Sequence, residues 1–204
     1  MKLFHAQASP FVRKVMVLIH ETGQLDRVEL VPGETTPLVA NPELARANPV
    51  GKIPALVLDD GTTFANSPLI CEYLDTTHDG PRMVPTSEPE RWEVLRMQAI
   101  ADGLMDAAVL NRYEIMMRPD QLRWPEWSDG QMAKVDRVMD VFEAAVQRVG
   151  ARVDLATICM ACACGYLDFR YADRDWRSAR PALADWYAGF SDRPSMRATA
   201  PPAG

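Results

Sequence analysis

The sequence has no surplus of positive charge: 22 lysines and arginines stand against 28 aspartates and glutamates, for a net charge of −6. Nucleic-acid binding needs a basic patch that displaces counterions from phosphates, and no lysine or arginine run supplies one, so nucleic acid is excluded as a partner. Long apolar runs are also missing. The longest, residues 155–167, is shorter than the roughly 20 residues a membrane-spanning helix needs, so no membrane is expected as a partner. The opening residues MKLFHA carry no apolar signal core and pass straight into strand-like residues, which sets the expectation of a cytoplasmic protein without a secretory signal. Histidine is scarce, and His5, His20 and His78 stand apart without ligand spacing, so no metal is expected. Cysteine is limited to Cys71, Cys159, Cys162 and Cys164. The last three crowd one apolar helix with no second Cys or His pair to complete a tetrahedral set, and Cys71 lies among Leu69, Ile70 and Leu74. All four are expected to pack as small hydrophobes in a reducing compartment.

What is present divides into two halves of different character. A chain of 204 residues suffices for one large or two small domains with a real core. Leu3-Phe4-His5-Ala6 reads as a strand, residues 11–21 as a helix with Val12, Val15, Met16 and Ile19 on one face, and residues 27–31 as a second strand. A proline-punctuated connection with one helical turn near residues 42–47 follows. Residues 78–86 hold turn formers without a period, and everything beyond reads helical: 87–118 closed by Pro119, 131–149 stopped by Gly150, 155 to about 170, and a last clear helix from Pro181. In the second of these, Lys134, Asp136, Arg137, Asp140, Glu143 and Arg148 turn away from the apolar line. Residues 155–170 are apolar nearly all round, as a helix at the centre of a bundle must be. Residues 198–204 are expected to form a loose tail.

The most informative stretch is NPVGKIPALVLDDGTTFANS, residues 48–67. Ala55-Leu56-Val57-Leu58 is short and apolar, as a buried strand is, and Asp60-Gly61 signals a two-residue hairpin turn. Thr62-Thr63-Phe64 can pair back, and Ser67-Pro68 reads as a helix N-cap followed by proline at the first helical position. The proline of Ile53-Pro54 can adopt the cis form at a cost of about 0.5–1 kcal/mol, which would turn the backbone of Ile53 toward a ligand. A free helix N-terminus beside that backbone edge suits a peptide bearing a carboxylate.

VGKIPALVLDDG followed by NSPLICEYLD resembles the glutathione-binding half of the glutathione S-transferases, the small bacterial members above all. DLATICMACACGYLDFR is similar to the buried core helix of that family, and RPALADWYAGFSDRPSMRAT to its closing helix and tail, so the resemblance covers nearly the whole chain. It implies an α/β thioredoxin-like domain over residues 1–77, a linker at 78–87 and an all-α helical bundle over 88–204. One departure is Thr157, where many members carry an aspartate that closes a capping box; Asp154 is expected to cap alone.

The resemblance also implies roles. Ser9 occupies the catalytic position, where its O–H would donate to the sulfur of glutathione and favour the thiolate. The plain alternative is that Ser9 caps its helix, and one serine can do both. Ser67 would hold the γ-glutamyl carboxylate, and Ile53, held by Pro54, would pair its backbone with the cysteinyl part. Lys52 is either a contact for the glycine carboxylate or a solvated charge. Asn66 stands where relatives place an acidic residue facing the ligand's ammonium. Ser9-Pro10-Phe11-Val12 has no thiol where a glutaredoxin-like domain carries its Cys-x-x-Cys, which disfavours disulfide exchange. Phe11, Met105, Tyr113, Met116 and Met117 are candidates for a second-substrate pocket, although such a stripe is also what a helical core presents. The expected function is a homodimeric detoxification enzyme in which glutathione is the co-substrate and a small hydrophobic electrophile the partner. The alternative is a non-catalytic binding or stress-response protein on the same architecture.

Overall fold

Lys2–His5 forms strand β1 in a computed structural model that describes residues 1–202. Leu3 and Phe4 point to opposite faces and both are buried, as a strand covered on both sides requires. β1 pairs in parallel with β2 (Glu29–Pro32) and antiparallel with β3 (Ala55–Val57), and β3 pairs antiparallel with β4 (Thr63–Ala65). The mixed sheet therefore runs β2-β1-β3-β4. Phe4 packs with Ala55 and with Leu44 of helix α2 (Pro42–Ala47), while α1 (Pro10–Glu21) packs on α3 (Ser67–Leu74). This is the thioredoxin-like arrangement that the order of elements implies. α1 is sunk more deeply than a single apolar face requires: Val17 and Leu18 are buried beside Val12, Val15 and Ile19, and so are Arg13 and Lys14.

Local chemistry explains most element ends, with two shifts from expectation. The hairpin loop has three residues rather than two. Leu58 N–H donates to Thr62 O at 2.8 Å, and Gly61, at φ +87°, takes the left-handed conformation that such a loop needs. The cap of α3 is Asn66 rather than Ser67, because the Asn66 carboxamide can turn back onto Leu69 N at 3.4 Å and asparagine tolerates its φ of +78°. Ser67 is thus the first helical residue.

The segment after α3, unpatterned in sequence, is held by one carboxylate. Asp75 is fully buried; its Oδ1 accepts from Met83 N at 2.6 Å and faces His78 Nε2 at 3.2 Å. Its Oδ2 accepts from Val84 N at 3.0 Å and Arg82 Nε at 2.9 Å. Gly80 N–H donates to His78 Nδ1 at 3.0 Å, so Nε2 carries the ring proton that reaches Asp75. Four donors on one buried carboxylate replace regular structure as the organiser of residues 75–84.

The chain divides into two compact units, Met1–Arg91 together with Pro194 onward, and Trp92–Arg193. The second is built from α4 (Glu88–Met117, of which residues 92–117 belong here), α5 (Pro125–Val149), α6 (Leu155–Arg170) and α7 (Pro181–Ser191). α5 starts at Pro125 rather than Gln131, since proline at the first position begins the helix before its apolar stripe does. Every residue of α6 from Leu155 to Leu167 is buried. Its capping box is complete: Asp154 accepts from Thr157 N at 2.9 Å and Thr157 Oγ1 accepts from Asp154 N at 3.0 Å. A hydroxyl at residue 157 therefore performs the acceptor role of the family's aspartate, and Asp154 does not cap alone. α7 lacks a capping side chain at Arg180, and Glu143 of α5 takes that place by accepting from Ala182 N and Leu183 N at 3.2 and 2.7 Å. Glu143 was expected on the solvated face, yet its carboxylate spans two helices. Among the described residues, no helix is long and apolar enough to cross a membrane.

The end of the chain is not loose over its described residues. Helix α8 (Pro194–Ala198) packs on α1, Arg13 Nη2 donates to Met196 O at 3.1 Å, and Gln7 Nε2 donates to Ala200 O at 2.8 Å. The tail expectation for residues 203–204 lies outside the described residues.

Asp75→Asn removes the charge that four donors share, and we expect it to cost about 3 kcal/mol or more, the range for breaking a buried charged network. Urea denaturation should show a lower midpoint at an unchanged slope.

Candidate functional site

Three turns meet at one end of the sheet, and the register alone brings them there. Phe4 pairs with Ala55, so the chain leaves β1 toward residues 6–9 at the end where Ile53-Pro54 enters β3. Ala55 pairs with Ala65, so Asn66 and Ser67 leave β4 at that same end. Ser9, Lys52, Ile53, Pro54, Asn66 and Ser67, six candidates spread over three sequence segments, are thereby gathered along one edge.

Each presents a definite set of groups. Ser9 caps α1, its Oγ accepting from Val12 N at 3.3 Å, and is half-buried. That bond uses a lone pair and leaves the hydroxyl proton free to donate, so capping does not preclude the catalytic role. The Ile53-Pro54 peptide bond is cis. The ladder begins only at Ala55, and among the described residues neither the N–H nor the C=O of Ile53 joins a turn or loop hydrogen bond. Ser67 is 3 % exposed, and its hydroxyl has no partner among the described residues. In the first turn of α3, Pro68 has no N–H and Leu69 N–H is capped, so Ser67 N–H is the donor left over. Neither α1 nor α3 carries an acidic residue in its first turn, so neither positive helix end is neutralised from within.

Lys52 is exposed, and its ammonium pairs with no carboxylate among the described residues. Asn66 is exposed, with its carboxamide oxygen turned into its own helix. The second-substrate candidates divide between the two units: Phe11 is half-buried on α1, and the others lie on α4. Met105 is fully buried, Tyr113 half-buried with its phenol pKa raised by burial, and Met116 exposed. The four cysteines are buried and none is in a disulfide, and burial pushes the Cys164 thiol far up, which makes it a poor nucleophile at neutral pH. Among the described residues, no group of three His, Cys, Asp or Glu is placed to hold a metal ion.

Two residues that shape this edge carry little sequence signal. Asn48 is buried and ties the loop together: its Nδ2 donates to Lys52 O at 2.7 Å, its Oδ1 accepts from Val50 N at 3.0 Å, and its carbonyl accepts from Gly51 N at 2.8 Å. Gly33 follows β2, donates to His5 O at 2.8 Å, and leaves no room for a side chain. A Cβ there would lie 2.8 Å from Ile53 Cγ2 and 2.9 Å from His5 N. An Asx turn before Gly51 could have been read for Asn48, whereas nothing local distinguishes Gly33 from an ordinary loop glycine.

Comparison with known proteins gives a consistent result. The family model for the glutathione S-transferase N-terminal domain matches residues 8–77, and that for the C-terminal domain matches residues 125–189. The GST-like protein YibF of Escherichia coli is 35% identical over 205 residues, covering 99% of each chain. A glutathione transferase family member from Pseudomonas fluorescens, solved with bound glutathione, superposes with a TM-score of 0.97 at 49% identity over 99% of each chain. A glutathione S-transferase from Methylobacillus flagellatus, also with glutathione bound, gives 0.89 at 34% identity over 98% of each chain.

Gly33→Ala should force Ile53 or the β1 backbone to move and cost about 1–3 kcal/mol, the usual range for overpacking. Gly103→Ala is the contrast: that helical position is exposed and open within 4 Å, so we expect a gain of about 1 kcal/mol. Amide resonances of His5 and Ile53 should shift in the first variant and not in the second.

Proposed function

The chain belongs to the glutathione S-transferase family, and from that premise we propose that it is a glutathione-dependent transferase that activates the thiol for attack on a small hydrophobic electrophile. The observation that carries this reading is the meeting of Ser9, the free backbone edge of Ile53 and the unpartnered Ser67 at one end of the sheet. Bound glutathione in the Pseudomonas and Methylobacillus relatives supports the choice of peptide.

In this reading Ser67 N–H and Oγ hold the γ-glutamyl carboxylate at the positive end of α3, and Ile53 exchanges backbone hydrogen bonds with the cysteinyl residue. Pro54 holds that edge, and the free ammonium of Lys52 meets the glycine carboxylate. Asn66 contributes an uncharged contact beside the ligand's ammonium, weaker than the carboxylate of its relatives. The thiol proton leaves to solvent and Ser9 donates its O–H to the sulfur, stabilising the thiolate; the thiolate then forms a C–S bond with the electrophilic carbon as the leaving group on that carbon departs with its bonding pair. Of the second-substrate candidates, the half-buried Tyr113 and the exposed Met116 of α4 are the groups that contact the electrophile. The enzyme acts as a homodimer in the cytoplasm, where its four cysteines, none in a disulfide, stay reduced.

Calorimetric titration with reduced glutathione tests the site. Saturable binding is expected, weakened about 10- to 100-fold by Ser67→Ala, the equivalent of about 1.5–3 kcal/mol for a hydrogen bond to a charged group. Ser9→Ala should retain binding but lose the ultraviolet absorbance of bound thiolate at neutral pH. Absence of heat up to millimolar glutathione overturns the proposal. Retained thiolate in Ser9→Ala removes Ser9 from the chemistry and leaves it a cap.

A further inference from the structure

Arg13 of α1 is 7 % exposed, and a single hydrogen bond is recorded for it, from Nη2 to Met196 O. Its Nε is buried without an acceptor, and among the described residues no carboxylate pairs with it. Arg180, the other buried arginine, sits against Asp140 at 2.7 Å and Asp136 at 3.8 Å. A buried cation is costly unless paired, and a guanidinium cannot escape by losing its proton. Among the described residues the Arg13 guanidinium thus lacks a counter-charge, which an anion bound from solution can supply.

Arg13 lines a cavity of about 260 Å³ that also takes in His5 at the end of β1, Gln7, Met16 of α1, Leu30 of β2 and Thr199 after α8. None of its lining residues is acidic. At roughly 30 Å³ per water-sized group, the space holds a ligand of up to about eight or nine non-hydrogen atoms. Polar groups and aliphatic side chains line it together, as in a site that reads a charged head and a short apolar chain.

We infer that this cavity binds a small aliphatic monocarboxylate, its head paired with the Arg13 guanidinium and its chain against Met16 and Leu30. A planar carboxylate suits the guanidinium fork better than a round anion does, because two parallel N–H donors can reach its two oxygens. The inference stands apart from the glutathione reading, since none of Ser9, Ile53 and Ser67 lines the cavity.

The test titrates the ¹⁵N-labelled full chain, saturated with reduced glutathione, with sodium butyrate and in parallel with butyramide, its neutral isostere. The Arg13 Nε–H resonance and the amides of His5, Leu30 and Thr199 should shift saturably with butyrate at millimolar concentration, and at least about 10-fold more weakly with butyramide. Arg13→Gln, which keeps a donor for Met196 O, should weaken butyrate binding at least about 10-fold. Leu30→Trp fills the cavity from a 40 % exposed edge-strand position, leaves Arg13 in place and should do the same even where Arg13→Gln fails to fold. Lack of saturation up to about 50 mM butyrate, equal binding of butyramide, or undiminished binding to Leu30→Trp overturns the inference.

Discussion

The pairing of β3 with both of its neighbours is the constraint on which the candidate site depends. Phe4 opposite Ala55, and Ala55 opposite Ala65, put the exits of β1 and β4 and the entry of β3 at one end of the sheet. A slip of one residue in the β1–β3 ladder would turn Leu3 and Phe4 each to the opposite face and shift Ser9 relative to Ile53, and a slip in the β3–β4 ladder would shift Ser67 relative to Ile53. Burial of both side chains, with neither face of β1 solvated, holds that register. Gly33 adds to it, because the chain just after β2 approaches His5 and Ile53 more closely than any side chain would permit.

In each unit carboxylates tie down loops and helix ends as well as forming ion pairs. Asp75 gathers two backbone amides, an imidazole and a guanidinium, and so shapes a segment with no regular structure. Asp154 caps the central helix of the second unit, and Glu143 caps a helix other than its own. In each case a carboxylate satisfies N–H donors that would otherwise be left in apolar surroundings, where an unmet donor costs about 1–3 kcal/mol. Arg13 breaks this economy. It is the buried charge for which the described residues hold no counter-ion, and it borders a cavity.

Features settled within a few residues of chain were readable in advance. Asn41-Pro42 starting α2, the glycine of the β3–β4 loop and the all-round apolar α6 follow from turn, cap and periodicity rules that act locally. Misreadings arose where two neighbouring residues competed for one role. Asn66 took the cap from Ser67 because its longer carboxamide reaches Leu69 N from a left-handed backbone. Thr157 closed a box thought open, because a hydroxyl accepts from an N–H as an aspartate oxygen does.

By itself the sequence determined the kinds and order of elements and the family they resemble, since propensity, capping and hydrophobic period are properties of adjacent residues. Only the tertiary structure decided that Asp75 is a hub, that Glu143 serves α7, that Gly33 must lack a side chain and that Arg13 is buried beside a cavity. The partners of Asp75 lie 3 to 9 residues on, in a segment with no period to place them, while Glu143 and Arg13 meet partners 40 and 183 positions away. Distances of that kind enter only when strand register and helix packing close the chain on itself.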